Sequence, residues 1–298
     1  MELSVIVPTY NRSNLLSNSL QSLVNQTLDK SLYEIIVVNN NSTDDTQEIA
    51  EKFIKKEPNM RLVFERNQGV SNARNRGWRE AHGDFVAYTD DDTKVASDWC
   101  DRILKAFRTV VPTPVAVGGA IYPWYEIHPP DWFSDEFEIR SWGESAGFLE
   151  VPRAHNGFSG ANMAFKRSIL EQYGGFSLNY GIIGDEMRLG GDTELFTRIY
   201  KNCPFFWYDP DIKVSHWVPA STMSVSYRIK RAFKGGIAWS HLNNRKIFSL
   251  QYLKSWACLC LFIIKAPLKM WRRKTGLQTE CVMILQELAS SLGYLIGH

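Results

Sequence analysis

Apolar residues in the first 120 positions follow two alternating rhythms. Short runs rich in Val and Ile, at residues 3–7 (LSVIV), 34–38 (EIIVV), 61–64 (RLVF), 84–88 (DFVAY) and 115–121, have the length of buried strands. Between them the spacing turns helical. Residues 13–24 carry Leu15, Leu16, Leu20 and Leu23 on one face. Residues 44–55 carry Ile49, Phe53 and Ile54 behind Thr43 or Asp44 as a cap, and residues 70–81 and 98–107 predict two further helices. Strand, helix, strand in this order predicts parallel βαβ units and an open, mostly parallel α/β sheet flanked by helices.

In such sheets ligands bind beyond the carboxyl ends of the strands. The first strand runs into Pro8-Thr9-Tyr10-Asn11-Arg12, the second into Asn39-Asn40-Asn41-Ser42-Thr43-Asp44-Asp45, and the fourth into Asp90-Asp91-Asp92. Three polar clusters therefore converge on one crevice. Three adjacent carboxylates repel one another, and a hard divalent cation, Mn2+ or Mg2+, relieves the repulsion while also taking phosphate oxygens. The chain has neither a GxGxxG turn after its first strand nor a GxxxxGK[ST] loop, which argues against dinucleotide oxidoreductases and P-loop enzymes. A diphosphate bound without such a loop needs a metal and cationic side chains, the division of labour expected of a nucleotide-sugar site.

Charge changes the picture of the second half. The 298 residues carry a formal net charge of +2, yet no acidic residue occurs between Asp211 and Glu280, a stretch with thirteen of the 34 lysines and arginines. The remainder sets 21 basic side chains against all 32 acidic ones, so an acidic body precedes a basic tail. Within that tail, residues 256–264 form a nine-residue apolar run, followed by Pro267 and a basic cluster at 269–274. A spanning helix needs about 20 apolar residues, so the run fits a helix in the membrane interface near anionic lipid. Five scattered cysteines form no CxxC pair, and residues 3–7 are too short for a signal-peptide core. The expected setting is cytoplasmic, peripheral at the inner face of a membrane.

Six segments occur in a characteristic order: SVIVPTYNR (4–12), EIIVVNNNSTDDT (34–46), NQGVSNARNRG (67–77), FVAYTDDD (85–92), GANMAFKRSILEQYGGF (160–176) and GGDTELFTRI (190–199). In this the chain resembles family 2 glycosyltransferases, inverting nucleotide-sugar-dependent enzymes of the GT-A fold. The resemblance covers residues 1–220, with a nucleotide-binding half at 1–117 and an acceptor and catalytic half at 118–220. Residues 221–298 are left as a helical basic and apolar extension. It implies that Pro8, Thr9, Tyr10 and Arg12 lie against the nucleoside, with Asn39 where relatives usually carry a base-contacting aspartate. Arg74 faces the nucleotide crevice, Asp90 and Asp91 belong to the donor site with Asp90 near the ribose, and Asp92 binds the metal. Asp192 is the implied catalytic base, with Gly191 in place of the usual preceding glutamate and further carboxylates at Asp185 and Glu186.

His216 follows a strand-like run at 212–215, and imidazole is a reasonable metal ligand there. Trp124, Trp132 and Trp142 lie in the Trp- and Pro-rich stretch 118–160, and their flat faces suit an acceptor sugar. The resulting expectation is transfer from a nucleotide-sugar, UDP-linked in preference, to a hydroxyl of a saccharide or lipid-linked saccharide in polysaccharide or glycoconjugate assembly. The departures at Asn39 and Gly191 keep a non-catalytic nucleotide-sugar-binding scaffold as the alternative. Nucleic acid is not an expected partner, because the strongest aromatic-apolar run is continuous and lipid-like.

Overall fold

The two rhythms become strands and helices in a computed structural model, which describes residues 1–150, 157–183, 186–242 and 276–297. In chain order these are β1 (Leu3–Thr9), α1 (Ser13–Val24), β2 (Tyr33–Asn39), α2 (Thr46–Ile54), β3 (Met60–Phe64), α3 (Val70–Glu80), β4 (Phe85–Tyr88), β5 (Thr93–Val95) and α4 (Trp99–Thr109). Then follow β6 (Ala116–Tyr125), β7 (Gly147–Phe148), β8 (Met163–Lys166), α5 (Arg167–Tyr173), β9 (Gly181–Ile183), β10 (Glu186–Arg188), α6 (Gly191–Tyr200) and β11 (Phe206–Val218). Among the described residues two further helices follow, α7 (Val225–Leu242) and α8 (Leu277–Ile296). Residues 256–264 and 269–274 lie outside the described residues, as do Gly184 and Asp185, while Glu186 opens β10.

Among the described residues nine strands form one sheet in the order β3-β2-β1-β4-β8-β6-β11-β5, with β7 pairing β11. The pairs β2–β3, β1–β2 and β1–β4 are parallel, and β4–β8, β6–β8 and β11–β5 are antiparallel. Every residue of β1 and β2 is buried, which explains why both read as continuous apolar runs and not as alternating ones. Odd and even positions serve different cores. Leu3, Val5, Val7, Ile35 and Val37 join Leu16, Leu20, Trp99 and Ile103 from α1 and α4. Ile6, Ile36 and Val38 face the side held by Ala73, Trp78, Leu170 and Phe196 from α3, α5 and α6.

β5, β7 and β8 have two to four residues each, too short to stand out as sequence runs. β11 spans 206–218 and exceeds the expected 212–215, because Asp209-Pro210-Asp211 interrupts its alternation while its backbone stays in the ladder.

The chain divides into two units. The first comprises Met1–Trp124, Glu138–Glu186 and Gly191–Trp217, and the second comprises Tyr125–Phe137, Met187–Gly190 and Val218–His298. In the second, α7 and α8 cross through small residues. A side chain at Gly236 would strike the Ser290 backbone, one at Gly293 would strike that of Phe233, and the Ser240 hydroxyl donates to the Gly297 carbonyl at 2.7 Å. Beside them Arg228 is buried with its guanidinium over the rings of Phe133 and Phe137. Among the described residues no helix is long and apolar enough to cross a membrane.

Candidate active site

The turn after β4 is held by backbone and hydroxyl groups before its carboxylates do anything. The Thr89 N–H donates to the Ile6 carbonyl at 3.2 Å, and the Thr93 and Ser19 hydroxyls donate to the Asp90 carbonyl at 2.7 and 3.1 Å. β11 lies along β5 with His216 opposite Thr93, and the Trp217 N–H donates to the Asp92 carbonyl at 2.8 Å. That ladder carries His216 to Asp92, with Nε2 3.4 Å from Oδ1.

One ligand atom each from Asp90, Asp92 and His216 lies within 4.8 Å of the others. The Asp92 Oδ1 is buried and, among the described residues, accepts no hydrogen bond. Burial and the neighbouring Asp92 push the Asp91 carboxyl well above its usual range, and burial raises Asp92 despite the nearby His216. This is undercompensated negative charge beside an orphaned oxygen, and a hard divalent cation fits the donor set of two carboxylates and an imidazole.

Arg74, on α3 and 7% exposed, links this cluster to the second half of the chain. Its Nη2 donates to Asp90 Oδ1 at 3.1 Å and its Nη1 to Asp192 Oδ1 at 2.7 Å. Burial opposes the guanidinium's charge, but Asp192 and Asp90 together leave its pKa raised. The other Asp192 oxygen, Oδ2, accepts the Gly160 N–H at 2.8 Å. Although Asp192 stands in the first turn of α6, after Gly190 at φ 100°, its oxygens are bonded to Arg74 and Gly160.

Glu194 is a bidentate partner of Arg198 on the same helix. At Gly191 a Cβ would reach Tyr180 only at ordinary contact distance, so space for a side chain exists where the family pattern departs.

The loops after β1 and β2 are stapled together. The Asn11 N–H donates to Ser42 Oγ at 3.1 Å, the Thr43 N–H to Asn11 Oδ1 at 2.8 Å, the Arg12 N–H to Thr46 Oγ1 at 3.1 Å and the Ser13 N–H to Asp44 Oδ2 at 3.1 Å. Asn11 and Asn41 both take left-handed backbone, φ 51° and 68°, a conformation asparagine tolerates better than most residues. Asn40 extends the framework, accepting the Gly69 N–H at 2.7 Å just before α3. Within this frame Pro8 and Thr9 are buried at the end of β1, Tyr10 is exposed, and Arg12 Nη2 lies 3.9 Å from Asp92 Oδ2. Asn39 is buried beside Thr9 in the β1–β2 register.

The expected acceptor tryptophans have different surroundings. Trp124 packs edge-on against Trp217, with the Lys94 ammonium 3.4 Å from its ring centre. Trp142 packs on Phe158 and Tyr208, and Trp132, in the second unit, packs on Phe133 and Phe137. Sequence reasoning missed Gly160, Lys94 and Trp217. A backbone N–H leaves no residue-type signal, whereas Trp217 follows His216 directly and was open to notice.

Residues 4–174 match the family model described as Glycosyl transferase family 2. The chain is 26% identical over 239 residues to the glucosyl-dolichyl phosphate glucuronosyltransferase of Haloferax volcanii, covering 79% of this chain and 75% of that protein. It is 40% identical over 101 residues to the poly(ribitol-phosphate) beta-glucosyltransferase of Bacillus spizizenii, covering 33% of this chain and 16% of the relative. Among solved structures, mannosyltransferase PcManGT from Pyrobaculum calidifontis in complex with GDP-Man and Mn2+ superposes with a TM-score of 0.63 at 20% identity, over 97% of this chain and 86% of that one. Residues 1–349 of S. aureus TarS in complex with UDP-GlcNAc give 0.57 at 18% identity, over 97% and 71%. At these identities the structures show a common fold.

Proposed function

The chain belongs to glycosyl transferase family 2 and has the GT-A fold, and on that premise we propose that it is an inverting, metal-dependent transferase. It moves a sugar from a nucleotide-sugar to a hydroxyl of a saccharide or lipid-linked saccharide. The observation that carries this reading is the Arg74 bridge. One buried guanidinium joins a carboxylate of the metal-ligand cluster to Asp192, residues separated by more than 100 positions. The machinery is assigned to residues 1–220 and a membrane-facing role to 221–298.

Asp90, Asp92 and His216 would hold Mn2+ or Mg2+, which when bound neutralises charge on the diphosphate as it departs. Asp192 is the base. Each of its oxygens accepts one hydrogen bond, from Arg74 or Gly160, and keeps a lone pair for a further proton. The acceptor oxygen attacks the anomeric carbon as its proton passes to Asp192, and the bond from that carbon to the diphosphate oxygen breaks. A single displacement from the face opposite the leaving group inverts the centre.

Named relatives act on a dolichyl-phosphate-linked sugar and on poly(ribitol-phosphate), and both names support an acceptor in glycoconjugate assembly. The complexes of similar fold hold GDP-Man and UDP-GlcNAc, which supports a nucleotide-sugar donor, with UDP retained as first expectation.

Two substitutions test the assignment. Asp192→Asn is expected to bind nucleotide as the parent does and to lose transfer by at least about a hundredfold, the scale of a general base. Asp92→Ala is expected to lose metal-dependent nucleotide binding and transfer together. Parental transfer rates in Asp192→Asn would overturn the base assignment.

A further inference from the structure

The carboxyl ends of β1 and β2 present two polar side chains, Thr9 and Asn39. Thr9 and Asn39 sit opposite each other in the register, with β4 and its carboxylates on the far side of β1. The Thr9 hydroxyl is buried beside the Asp91 carboxyl and makes no hydrogen bond of normal geometry. Asn39 is 1% exposed, and its Oδ1 accepts the Ser42 N–H at 2.9 Å. Among the described residues its Nδ2 donates to no protein group.

The amide cannot simply turn over. Reversal would set its NH2 against the Ser42 N–H, donor against donor. Nor can Ser42 readily withdraw, because its hydroxyl accepts the Asn11 N–H and its neighbour Thr43 is bonded to Asn11 Oδ1. The orientation is therefore built into the loop. Toward the crevice Asn39 offers a donor, whereas an aspartate there would offer only acceptors. Tyr10, directly after Thr9, adds an exposed aromatic ring at the same strand end. A flat face beside in-plane polar groups is the chemistry that receives a nucleobase.

We propose that Asn39 selects the base of the donor nucleotide through its amide N–H, reading an acceptor atom, a carbonyl oxygen or an unprotonated ring nitrogen, and not an imino N–H. The inference rests on the nucleotide-sugar reading above and adds what part of the base is read.

The test is a calorimetric binding cycle with the full chain and Mn2+, comparing wild type with Asn39→Asp. The ligands are UDP and its N3-methyl analogue, with GDP and its N1-methyl analogue as a second pair. Methylation removes the imino N–H and adds the same bulk in both proteins, so steric cost cancels in the ratio of ratios. Asn39→Asp retains an acceptor for the Ser42 N–H. In wild type the methylated analogue of the better-bound base is expected to bind within about tenfold of its parent. In Asn39→Asp the penalty grows by a further factor of about ten, one good hydrogen bond, because the carboxylate accepts the N–H that methylation removes.

An equal penalty in both proteins overturns the proposal. Failure of all four nucleotides to bind wild type would overturn the donor reading itself, and this inference with it.

Discussion

Asp192 receives its two hydrogen bonds from unlike groups, a guanidinium reaching across from α3 and the backbone N–H of Gly160. Gly160 also provides room, since a Cβ there would fall inside the van der Waals envelope of the Arg74 guanidinium. Gly160→Ala is therefore expected to displace Arg74 and cut kcat by about tenfold to a hundredfold, the scale of a misplaced catalytic group, while nucleotide affinity stays within about threefold. Steady-state kinetics beside a nucleotide titration would check it, and unchanged kcat would refute it. Asp192 and Arg74 were legible as members of ordered motifs, but the part played by Gly160 was not, because it consists of a backbone donor and a missing side chain.

Glu34, on β2, shows a different use of a buried charge. It accepts from the Ser4 hydroxyl at 2.7 Å, the His82 N–H at 2.8 Å and Arg61 Nε at 3.0 Å. Burial alone would raise its pKa, yet these donors leave it below the ordinary 4.5. The unfolded chain thus binds this proton first, so the contribution is full above pH 4.5 and disappears as pH falls through the lower folded value. Glu34→Gln is expected to lose about 2 kcal/mol at pH 7 in urea unfolding, with the gap to wild type narrowing below pH 4.5.

Among elements, β1 to β4 and the helices α1 to α4 were legible because a parallel sheet buried on both faces writes unbroken apolar runs, and the helices between them keep their own period. β5 was not, since three residues after an acidic turn carry no period of their own, yet its ladder with β11 brings His216 to Asp92. The orientation of the Asn39 amide was equally hidden, because it depends on where the Ser42 N–H points. The α7–α8 crossing was hidden too, since small residues signal contact only once two helices are known to meet. Gly236→Val forces a branched side chain into the Ser290 backbone. It is expected to cost about 1–3 kcal/mol, the range of overpacked cores, read as lost amide-exchange protection in α7 and α8. Unaltered protection would mean that the crossing is looser than drawn.

Across the whole chain, charge is segregated along the sequence, with every acidic residue lying outside the stretch between Asp211 and Glu280. The membrane-facing role proposed for this stretch would have a surface of anionic lipid as its partner, at about 1 kcal/mol for each Lys or Arg near it. The 298-residue chain is expected to float with vesicles containing phosphatidylserine and to be released by high salt. Exchange of Arg272, Arg273 and Lys274 for glutamate should shift it to the soluble fraction. Recovery of the parent protein in the soluble fraction at low salt would refute the membrane role.

The staple between the loops after β1 and β2 has a consequence for anyone redesigning the donor end of the molecule. Residues 10–13 and 40–46 are separate in the gene but form one mechanical part, each supplying the other's bonding partners. A chimera that imports one loop from a relative inherits a mismatch at four hydrogen bonds, so the natural unit of exchange is a two-piece cassette.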